Sequence, residues 1–580
     1  MKSLIKLHTL VAHDMGSLLG VDPVHDVAYM ERRHSAEGDS FLTITLPQFE
    51  AAFLACLARG RIDLTAFPGY RSRGRLPLFL RGFVSLVFSD NGELRLDADA
   101  EAIRAVRQIC SCTKKLERDV SPSRVARAYT AYAETDEALP VEDDVPDHLR
   151  RSFRRWAERL FGRILDRLEA SIASYDLVPR HGPGSVAEGF SPKRKWDFDE
   201  WYQSIDDVFP SNFYTSYNVN EGFRTCVSRE GEKPVRVITV PKTMKTPRII
   251  AIEPAARQYV QQAVSQFLYK ELRDEYPDEL DLLDQETNRA WAMAGSVDQS
   301  ISTLDLSEAS DRVSLWLVEL LIGHRPHVLD ALRAARSPLA ELPAGVIALK
   351  KFASMGSALT FPIQSMVFYT IIRMSGRSQL RRCGLTHTAV FGDDMIVPSD
   401  ITSAVVDNLE VFGLKVNKSK SYLEGNFRES CGEEYFLGHD VSIVKLRRDL
   451  PVSRRDAQKL GSIVAFRNEC YRRGMWQTCS WLDQKIGSII RFLPIQEGWD
   501  GLGRLTYLPV KEERISPTLQ FGQVRRPVLT PKQREYKVDG PAGLLKWFLE
   551  KRSANIPTGQ WSPTERPIAF TINNRWIAVT

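Results

Sequence analysis

The chain has 580 residues, of which 43% are hydrophobic and 26% are charged, with a formal net charge of +5 and a pI near 8.6. This length and composition indicate a globular protein of roughly three or four domain-sized units and exclude fibrous and disordered chains. The mild basic charge permits a nucleic-acid partner, but a basic surface kept for solubility explains it equally well.

The eight cysteines are irregularly spaced and form no CxxC pair, which excludes a disulfide scaffold and a zinc ribbon. Reduced thiols in a cytosolic protein are the simplest interpretation. Near the start of the chain His8, His13 and Asp14 interrupt the apolar residues, so no signal peptide is expected. The sequence has no run of about 18 apolar residues, and we therefore expect no membrane span.

An acidic stretch with prolines, residues 134–148, predicts a linker or an exposed loop. Apolar residues between Leu149 and Leu168 then recur at three- and four-residue spacing, which predicts an amphipathic helix. Arginines fill much of the opposite face. Two interpretations stay open for that face: it is solvated, or it contacts phosphate groups of a nucleic acid.

A glycine-rich loop with the sequence RHGPGS follows at residues 180–185. The backbone amides of such a loop are freely approachable, so Gly182, Gly184 and Ser185 could cradle a phosphate group. A plain turn explains the same residues and, from this pattern alone, is the preferred interpretation.

Two strand-like segments, Val235–Val240 and Ile249–Ile252, flank a basic turn and predict a β-hairpin. Cations crowded on one hairpin repel one another unless an anion lies nearby, and a triphosphate would be a suitable anion. The alternative is a solvated basic hairpin. The cations concerned are Arg236, Lys242, Lys245 and Arg248.

Residues 301–307 predict a strand that carries Asp305 near its end, followed by a helix from Glu308 with Ser307 as the N-cap. Asp305 has two interpretations, an acid at a helix start or a ligand of a catalytic metal ion. Asp311, six residues further on, could accept a hydrogen bond from a ribose hydroxyl group.

A loop of small residues, 353–360, leads into an apolar helix predicted for Phe361–Ile372. A loop of glycine and serine that leads into a helix fits the close approach of a nucleotide or a template strand. Simple capping of the helix explains this loop as well.

The apolar runs around Phe391-Gly392-Asp393-Asp394 predict a β-hairpin whose turn is Gly-Asp. Two adjacent carboxylates are poor core residues, because burying unpaired charge is costly, but they are good ligands for Mg²⁺. With Asp305 on a neighbouring strand, Asp393 and Asp394 would surround the pair of Mg²⁺ ions used in metal-assisted phosphoryl transfer. A solvated turn is the alternative, and the tetrapeptide alone does not decide.

Two lysines, Lys418 and Lys420, follow this hairpin in the sequence. A lysine at this place could protonate a pyrophosphate leaving group as a general acid. A lysine that is merely exposed is the commoner alternative.

In this order, the segments resemble those of a template-dependent RNA polymerase of the right-hand type. More specifically, the chain is similar to the replicase subunit of the single-stranded RNA bacteriophages, the leviviruses of the Q-beta and MS2 group. Phe391 departs from the pattern, because that family commonly has Tyr there; the position contributes no metal ligand. The stretches that carry the resemblance are VITVPKTMKTPRIIAIEP (237–254), STLDLSEASDRVSL (302–315), ASMGSALTF (353–361), VFGDDMIVPS (390–399) and EGNFRESCG (424–432).

The resemblance implies a role for each matched residue. Two Mg²⁺ ions, or Mn²⁺ as a substitute, would be held by Asp305, Asp393 and Asp394, and Lys420, or else Lys418, would be the leaving-group acid. The residues implied to bind the incoming nucleoside triphosphate are Arg236, Lys242, Lys245, Arg248, Asp311, Ser354, Gly356 and Thr360. The loop residues Gly182, Gly184 and Ser185 look like a clamp on the template strand.

The resemblance also implies an α/β fold of the α+β kind, with fingers, palm and thumb, in which the palm is a small antiparallel sheet flanked by helices. The implied divisions are an N-terminal region with outer fingers (1–230), inner fingers with the basic hairpin (231–300), the catalytic palm (301–450) and the thumb with the C-terminal region (451–580).

The implied activity is primer-independent, RNA-directed RNA synthesis that replicates a phage genome in the cytoplasm of an infected bacterium. The implied partners are the RNA template and product, nucleoside triphosphates, host elongation factors Tu and Ts, and ribosomal protein S1, without a membrane. One rival is a reverse transcriptase, disfavoured because Asp311 stands where those enzymes usually carry a bulky aromatic residue. A second rival is a non-catalytic RNA-binding protein, disfavoured because all three carboxylates are present.

Overall fold

The structure is a computed structural model that describes residues 2–182, 184–190, 194–198, 200–215, 225–376, 387–532, 540–552 and 569–579. Helices and mostly antiparallel strands are mixed along these residues, so the predicted α+β class is confirmed.

The helices are distributed over the whole described chain. They are α1 (Lys2–Leu19), α2 (Val24–Glu37), α3 (Leu46–Arg59), α4 (Arg81–Val84), α5 (Ala100–Ser111), α6 (Pro122–Glu137), α7 (Asp147–Ala173), α8 (Gln203–Asp206), α9 (Ser211–Tyr214), α10 (Ala255–Glu275), α11 (Glu286–Asp298), α12 (Leu315–Ile322), α13 (Pro326–Ala335), α14 (Thr360–Ser375), α15 (Thr402–Val411), α16 (Ala457–Arg472), α17 (Trp476–Gly487) and α18 (Gly540–Arg552).

The strands are short except at the C-terminal end. They are β1 (Ser72–Arg73), β2 (Leu76–Pro77), β3 (Glu200–Tyr202), β4 (Thr225–Val227), β5 (Val235–Val240), β6 (Arg248–Ile252), β7 (Ile301–Leu304), β8 (Leu306–Ser307), β9 (Leu339–Leu342), β10 (Gly345–Ala348), β11 (Ala389–Phe391), β12 (Asp394–Pro398), β13 (Lys415–Val416), β14 (Phe427–Ser430), β15 (Glu433–Phe436), β16 (His439–Asp440), β17 (Pro494–Ile495), β18 (Arg504–Leu505), β19 (Arg514–Ile515), β20 (Gly522–Lys532) and β21 (Ala569–Ala578).

Two sheets carry the predicted acidic turn and the predicted basic hairpin. The first has the order β11-β12-β7 and is antiparallel throughout. The second has the order β10-β9-β5-β6, and its β5–β6 pair is the predicted basic hairpin. Helix α14 packs against β11, and α11 packs against β7 and β11. A small antiparallel sheet flanked by helices is therefore present, as the sequence predicted for the palm.

Two large hydrophobic cores hold these elements together. One contains buried residues from α7, α10, α12, α13, α14 and α15, together with the inner faces of β7, β11 and β12. The other joins helices α1–α5 to residues 422–490, so that two segments distant in sequence share one core. The domain boundaries near 230, 300 and 450 stay a prediction.

One stretch among the described residues, Phe41–Arg59, is long and apolar enough to cross a membrane by length and composition alone. About two thirds of it (67%) is buried within the protein, as is typical of a core helix. The stretch consists of α3 and a preceding π-helical turn, Phe41–Thr45, and it packs in the second core.

One local prediction was wrong, and a second was wrong in part. The helix expected from Glu308 begins only at Leu315, with Ser314 rather than Ser307 at the N-cap position, because Glu308 adopts a left-handed φ of 55° and a short 3₁₀ turn, Ala309–Arg312, follows it. The acidic stretch predicted as a linker is helical over its first residues, 134–137, which end α6. Its Thr135 and Asp136 are buried there, since they make the polar contacts described below.

The predicted amphipathic helix is confirmed as α7, which extends from Asp147 to Ala173 and buries Phe153, Phe161 and Leu168 in the first core. Several arginines of this helix are exposed, including Arg154, Arg155, Arg159 and Arg163. Contact between this face and phosphate groups stays a prediction.

Candidate active site

The Gly-Asp-Asp hairpin has the predicted two-residue turn, because Phe391 pairs with Asp394 across Gly392 and Asp393. Gly392 has a φ of +67°, a conformation that glycine adopts without strain. A Cβ atom at Gly392 would lie 2.2 Å from the ring of Phe361 on α14. The Gly392 amide also donates a 3.2 Å hydrogen bond to Oγ of Ser365. The turn is therefore fixed against α14 at a position where only glycine fits.

Strand register brings Asp305 to this turn. Strand β12 pairs with β7 so that Met395 faces Leu304, and the pairing continues to Pro398 facing Ile301. Extending that register by one residue places Asp394 opposite Asp305. Residues directly opposite on antiparallel strands have Cβ atoms about 5 Å apart and project to the same face. The sheet thus brings together two carboxylates that are separated by 89 positions in the sequence.

Asp305 is anchored by the segment that follows β13. Its carboxylate Oδ2 accepts a 2.7 Å hydrogen bond from Asn417 Nδ2 and a 3.4 Å hydrogen bond from Lys420 Nζ. Its backbone amide donates to Ser421 Oγ at 3.1 Å. Both candidate lysines are exposed, but of the two the structure places Lys420 beside Asp305.

The acidic groups repel one another. Burial, followed by the charges of Asp393, Glu429 and Asp305, raises the pKa of Asp394 to about 7. The pKa of Asp305 is also raised, mainly by burial, although the charge of Lys420 opposes the shift. Burial lowers the pKa of Lys420, but the charges of Asp305 and Glu429 more than offset this, so the pKa lies above its ordinary value. Such repulsion is relieved when a cation binds.

The donor chemistry of the aspartates fits Mg²⁺ or Mn²⁺, which prefer carboxylate oxygens. Among the described residues, no three acidic, imidazole or thiol side chains lie close enough to hold a metal ion as they stand. One oxygen of Asp305 is instead bonded to Asn417 and Lys420. Metal binding by Asp305, Asp393 and Asp394 would therefore require these side chains to turn toward one another.

The basic hairpin faces the same acids. Partial desolvation lowers the pKa of Lys242, and the charges of Arg248 and Lys420 lower it further, while Asp393 and Asp305 oppose the shift. These interactions place Lys242 within electrostatic reach of both aspartates. All four cations of the hairpin are exposed, as expected of groups that meet a ligand or solvent: Arg236, Lys242, Lys245 and Arg248.

The loop of small residues packs directly on the basic hairpin. The Ala251 amide donates a 2.9 Å hydrogen bond to the Met355 carbonyl. A Cβ atom at Gly356, which has a φ of +140°, would lie 1.9 Å from the Ala251 carbonyl oxygen. The hydroxyl of Thr360 donates to the Ser354 carbonyl at 2.8 Å. Gly356 is therefore the residue that allows the loop and strand β6 to meet.

Asp311 lies in the 3₁₀ turn that follows β8, and its carboxylate is partly exposed. Its Oδ1 accepts a 3.0 Å hydrogen bond from the ammonium group of Lys351, which is fully buried. Sequence reasoning missed Lys351, because nothing in the local pattern links it to Asp311, 40 positions away.

The glycine-rich loop lies elsewhere, against helix α10. Lys195 Nζ donates hydrogen bonds to the carbonyls of Gly182 and Gly184, and Gln258 Nε2 donates to the Ser185 carbonyl at 3.4 Å. Pro183, within the predicted clamp, lies outside the described residues. Within the part of the chain that the structure describes, no hydrogen bond joins this loop to the aspartates.

Glu429 was also missed by the sequence reasoning, although it lies in the matched stretch EGNFRESCG. Burial raises its pKa, the charge of Glu434 adds to the shift, and Lys420 opposes it. The same group contributes to the raised pKa of Asp394. Glu429 is therefore a fourth acid at this site, and the only signal for it in the sequence was its position inside that stretch.

These features together define a class of protein. A three-stranded antiparallel sheet that carries Asp305 to a Gly-Asp-Asp turn, with a basic hairpin near both, resembles the palm of a right-hand nucleic-acid polymerase. The family model of the RNA replicase beta-chain matches residues 222–477, which include the hairpin, both acidic strands and Lys420. The predicted resemblance to the replicases of single-stranded RNA phages is confirmed.

The curated proteins that this chain resembles are likewise named as RNA-directed RNA polymerase subunits of RNA phages. The RNA-directed RNA polymerase subunit beta of Qbeta virus (strain MX1) is 32% identical over 332 residues, which are 54% of this chain and 53% of the relative. The corresponding subunit of Enterobacteria phage SP is 37% identical over 41% of this chain and 39% of the relative. The chain spans about half, or less, of the length of the curated relatives it matches.

Solved structures are more distant. The RNA-dependent RNA polymerase of BmCPV at its elongation state has a TM-score of 0.41 and 12% sequence identity, over 67% of this chain and 38% of that one. A likeness of this degree does not indicate function.

Proposed function

We propose that this chain is the catalytic subunit of an RNA-directed RNA polymerase that replicates a single-stranded RNA phage genome without a primer. The observation that carries the proposal is the strand register, in which Met395 facing Leu304 sets Asp305 opposite Asp394 beside the Gly-Asp-Asp turn. The basic hairpin and Lys420, both close to these acids, give a site suited to a nucleoside triphosphate.

In the proposed reaction, the 3′-hydroxyl group of the growing RNA loses its proton to solvent water, and its oxygen attacks the α-phosphorus of the incoming triphosphate. The bond from the α-phosphorus to the bridging oxygen breaks, and pyrophosphate leaves. Lys242 and Arg248 bind the phosphates, Asp311 accepts a hydrogen bond from the ribose 2′-hydroxyl, and Lys420 gives a proton to the departing pyrophosphate oxygen. Mg²⁺ held by the aspartates would supply positive charge that lowers the pKa of the attacking hydroxyl group.

The proposed partners follow from the same assignment. The chain would bind an RNA template and its product, and it would work as the beta subunit of a complex in the cytoplasm of an infected bacterium. The names of the relatives, which are beta subunits or beta chains, support a multi-subunit complex. Elongation factors Tu and Ts and ribosomal protein S1 are proposed as host subunits on the family resemblance alone, and no membrane is expected to take part. Gly182, Gly184 and Ser185 are proposed to contact the template.

The experiment that tests the proposal is nucleotide incorporation by the purified full chain, together with the host proteins that co-purify with it. An RNA template is supplied with Mg²⁺ and either ribonucleotides or 2′-deoxyribonucleotides. We expect product that depends on both the template and Mg²⁺ and that forms preferentially from ribonucleotides. Preferential use of deoxyribonucleotides would instead favour a reverse transcriptase, and template binding without synthesis would favour a non-catalytic RNA-binding protein.

A further inference from the structure

Helix α6 lies outside residues 222–477, which the replicase family model matches, yet it contacts three pieces of the proposed nucleotide site. Near its start, Arg124 donates a hydrogen bond to the Met244 carbonyl in the turn of the basic hairpin. Near its end, Thr135 Oγ1 donates to the carboxylate of Glu308, at the entrance of the turn that carries Asp311, at 3.2 Å. The helix therefore spans from the triphosphate hairpin to the ribose-sensing turn.

A tyrosine in the middle of α6 reaches the loop of small residues. The hydroxyl groups of Tyr132 and Ser354 share a hydrogen bond of 2.8 Å. Both side chains are buried, and Tyr132 belongs to a small core with Val237, Ala251 and other residues of the hairpin sheet. Because buried hydroxyl groups are costly to leave unpaired, this bond fixes the Ser354 side chain relative to the sheet.

Lys351 connects the helix to Asp311. Its ammonium group is fully buried, lies 3.5 Å from the centre of the Tyr132 ring, and stands between Oδ1 of Asp311 at 3.0 Å and Oδ1 of Asp136 at 3.9 Å. Asp136 also accepts hydrogen bonds from the backbone amides of Lys350 and Lys351, at 2.9 and 3.0 Å. A buried cation with two carboxylates and an aromatic face is held in one place.

This arrangement leaves half of the Asp311 carboxylate available. Lys351 occupies Oδ1, whereas Oδ2 has no hydrogen-bond partner among the described residues. The backbone also fixes Lys351 relative to Asp311, because the amide of the next residue, Phe352, donates a hydrogen bond to the Val313 carbonyl at 2.8 Å. A carboxylate fixed at one oxygen presents the other in a single orientation, which is the requirement for recognising one hydroxyl group.

Resting on the proposed function, we infer that Tyr132, Asp136 and Lys351 are positioning residues that set the preference for ribonucleotides over 2′-deoxyribonucleotides. Lys351 orients Asp311 toward the ribose 2′-hydroxyl group, Asp136 holds Lys351, and Tyr132 holds both Lys351 and Ser354. None of the three contacts the reacting atoms. Their removal therefore affects the choice of sugar more than the chemical step.

The test is single-nucleotide incorporation by the full chain on one RNA template, with CTP and 2′-deoxy-CTP as the probes. Their ratio of kcat/KM is compared for the wild type, Tyr132→Phe, Asp136→Asn and Lys351→Met. Tyr129→Phe is the matched control, because Tyr129 lies on the same helix and packs on the same small core without a hydrogen bond from its hydroxyl group among the described residues. Circular dichroism and thermal melting report whether each variant is folded.

We expect Lys351→Met to lower the ratio of kcat/KM for CTP to that for 2′-deoxy-CTP by about tenfold or more, because one charged hydrogen bond is lost. Only kcat/KM for CTP should fall. Tyr132→Phe, which keeps the ring, should lower it by roughly threefold, and Tyr129→Phe should leave it unchanged. If Lys351→Met does not fold, Tyr132→Phe and Asp136→Asn carry the test. If these variants lose kcat/KM equally for CTP and 2′-deoxy-CTP, this inference is wrong, but the proposed function still stands. A wild-type chain that incorporates neither nucleotide would overturn the proposed function and this inference together.

Discussion

Lys420 and Asn417 bind the same carboxylate oxygen of Asp305, at 3.4 Å and 2.7 Å respectively. A short segment after β13 thus holds both the strand-borne acid and the proposed proton donor. Although its side chain is 53% exposed, the ammonium group of Lys420 bonds directly to Asp305, so its removal should affect the chemistry of the site and not only the surface charge.

Lys420→Met should lower kcat for nucleotide incorporation by about 10²-fold or more, the range for loss of a general acid, with a smaller change in KM. Steady-state kinetics with a single nucleoside triphosphate measure both parameters. Lys418→Met is the control, since Lys418 is exposed two residues away, and it should leave kcat within about twofold. Equal losses in the two variants would show that a general basic surface, and not Lys420, matters.

Gly356→Ala should separate the loop of small residues from strand β6. The added Cβ would lie 1.9 Å from the Ala251 carbonyl oxygen, so the backbone must move. We expect a lower melting temperature and a loss of incorporation of more than about tenfold. Gly345→Ala is a matched control: its φ of +136° is nearly the same as that of Gly356, but a Cβ there meets nothing within 4 Å. If both variants behave alike, backbone strain and not the close approach explains the requirement for glycine.

Phe391→Tyr should change little. Phe391 lies next to the Gly-Asp-Asp turn and packs edge-on against Phe361, with ring centres 5.1 Å apart, and it contributes no oxygen to the acids. We expect incorporation within about twofold of the wild type and an unchanged Mg²⁺ dependence. A gain of more than about tenfold would mean that the tyrosine hydroxyl group takes part in the reaction, contrary to the metal-site assignment.

Much of this site was predictable from the sequence, because it depends on local patterns. The turn at Gly392-Asp393 and the basic hairpin follow from alternating apolar residues around turn residues. The helix start was missed because Glu308 adopts a left-handed conformation, which a single sequence does not reveal. The last turn of helix α6 was predicted as a linker because its residues are acidic. Asp136 is buried there because it accepts hydrogen bonds from the backbone amides of Lys350 and Lys351, which lie more than 200 positions away in the sequence.

Low pH should lower the free energy of unfolding because His8, in the second core, becomes protonated on unfolding. This buried residue contacts the Ile109 carbonyl at 2.9 Å and Thr113 Oγ1 at 3.0 Å, and burial lowers its pKa from 6.5 to about 4. The folded state therefore binds the proton less readily than the unfolded state, so this stability is present above about pH 6.5 and is lost as the pH falls toward about 4. From about pH 7.5 to about pH 5 the His8 contribution to the free energy of unfolding should fall by about 2 kcal/mol.

The measurement is urea unfolding followed by fluorescence at the two pH values. His8→Gln should remove about 2 kcal/mol of the pH-dependent difference. His25→Gln, at an exposed position on α2, should retain all of it. The same pH dependence in wild type and His8→Gln would contradict the assignment.

The central claim is that the acids of the Gly-Asp-Asp turn carry out RNA synthesis, and Asp393→Asn tests it most directly. Asp400→Asn is the control, because Asp400 is an exposed acid just beyond β12. Templated, Mg²⁺-dependent ribonucleotide incorporation is measured together with RNA binding. We predict that Asp393→Asn abolishes incorporation while RNA binding remains measurable, and that Asp400→Asn retains both. Full incorporation by Asp393→Asn would contradict the account.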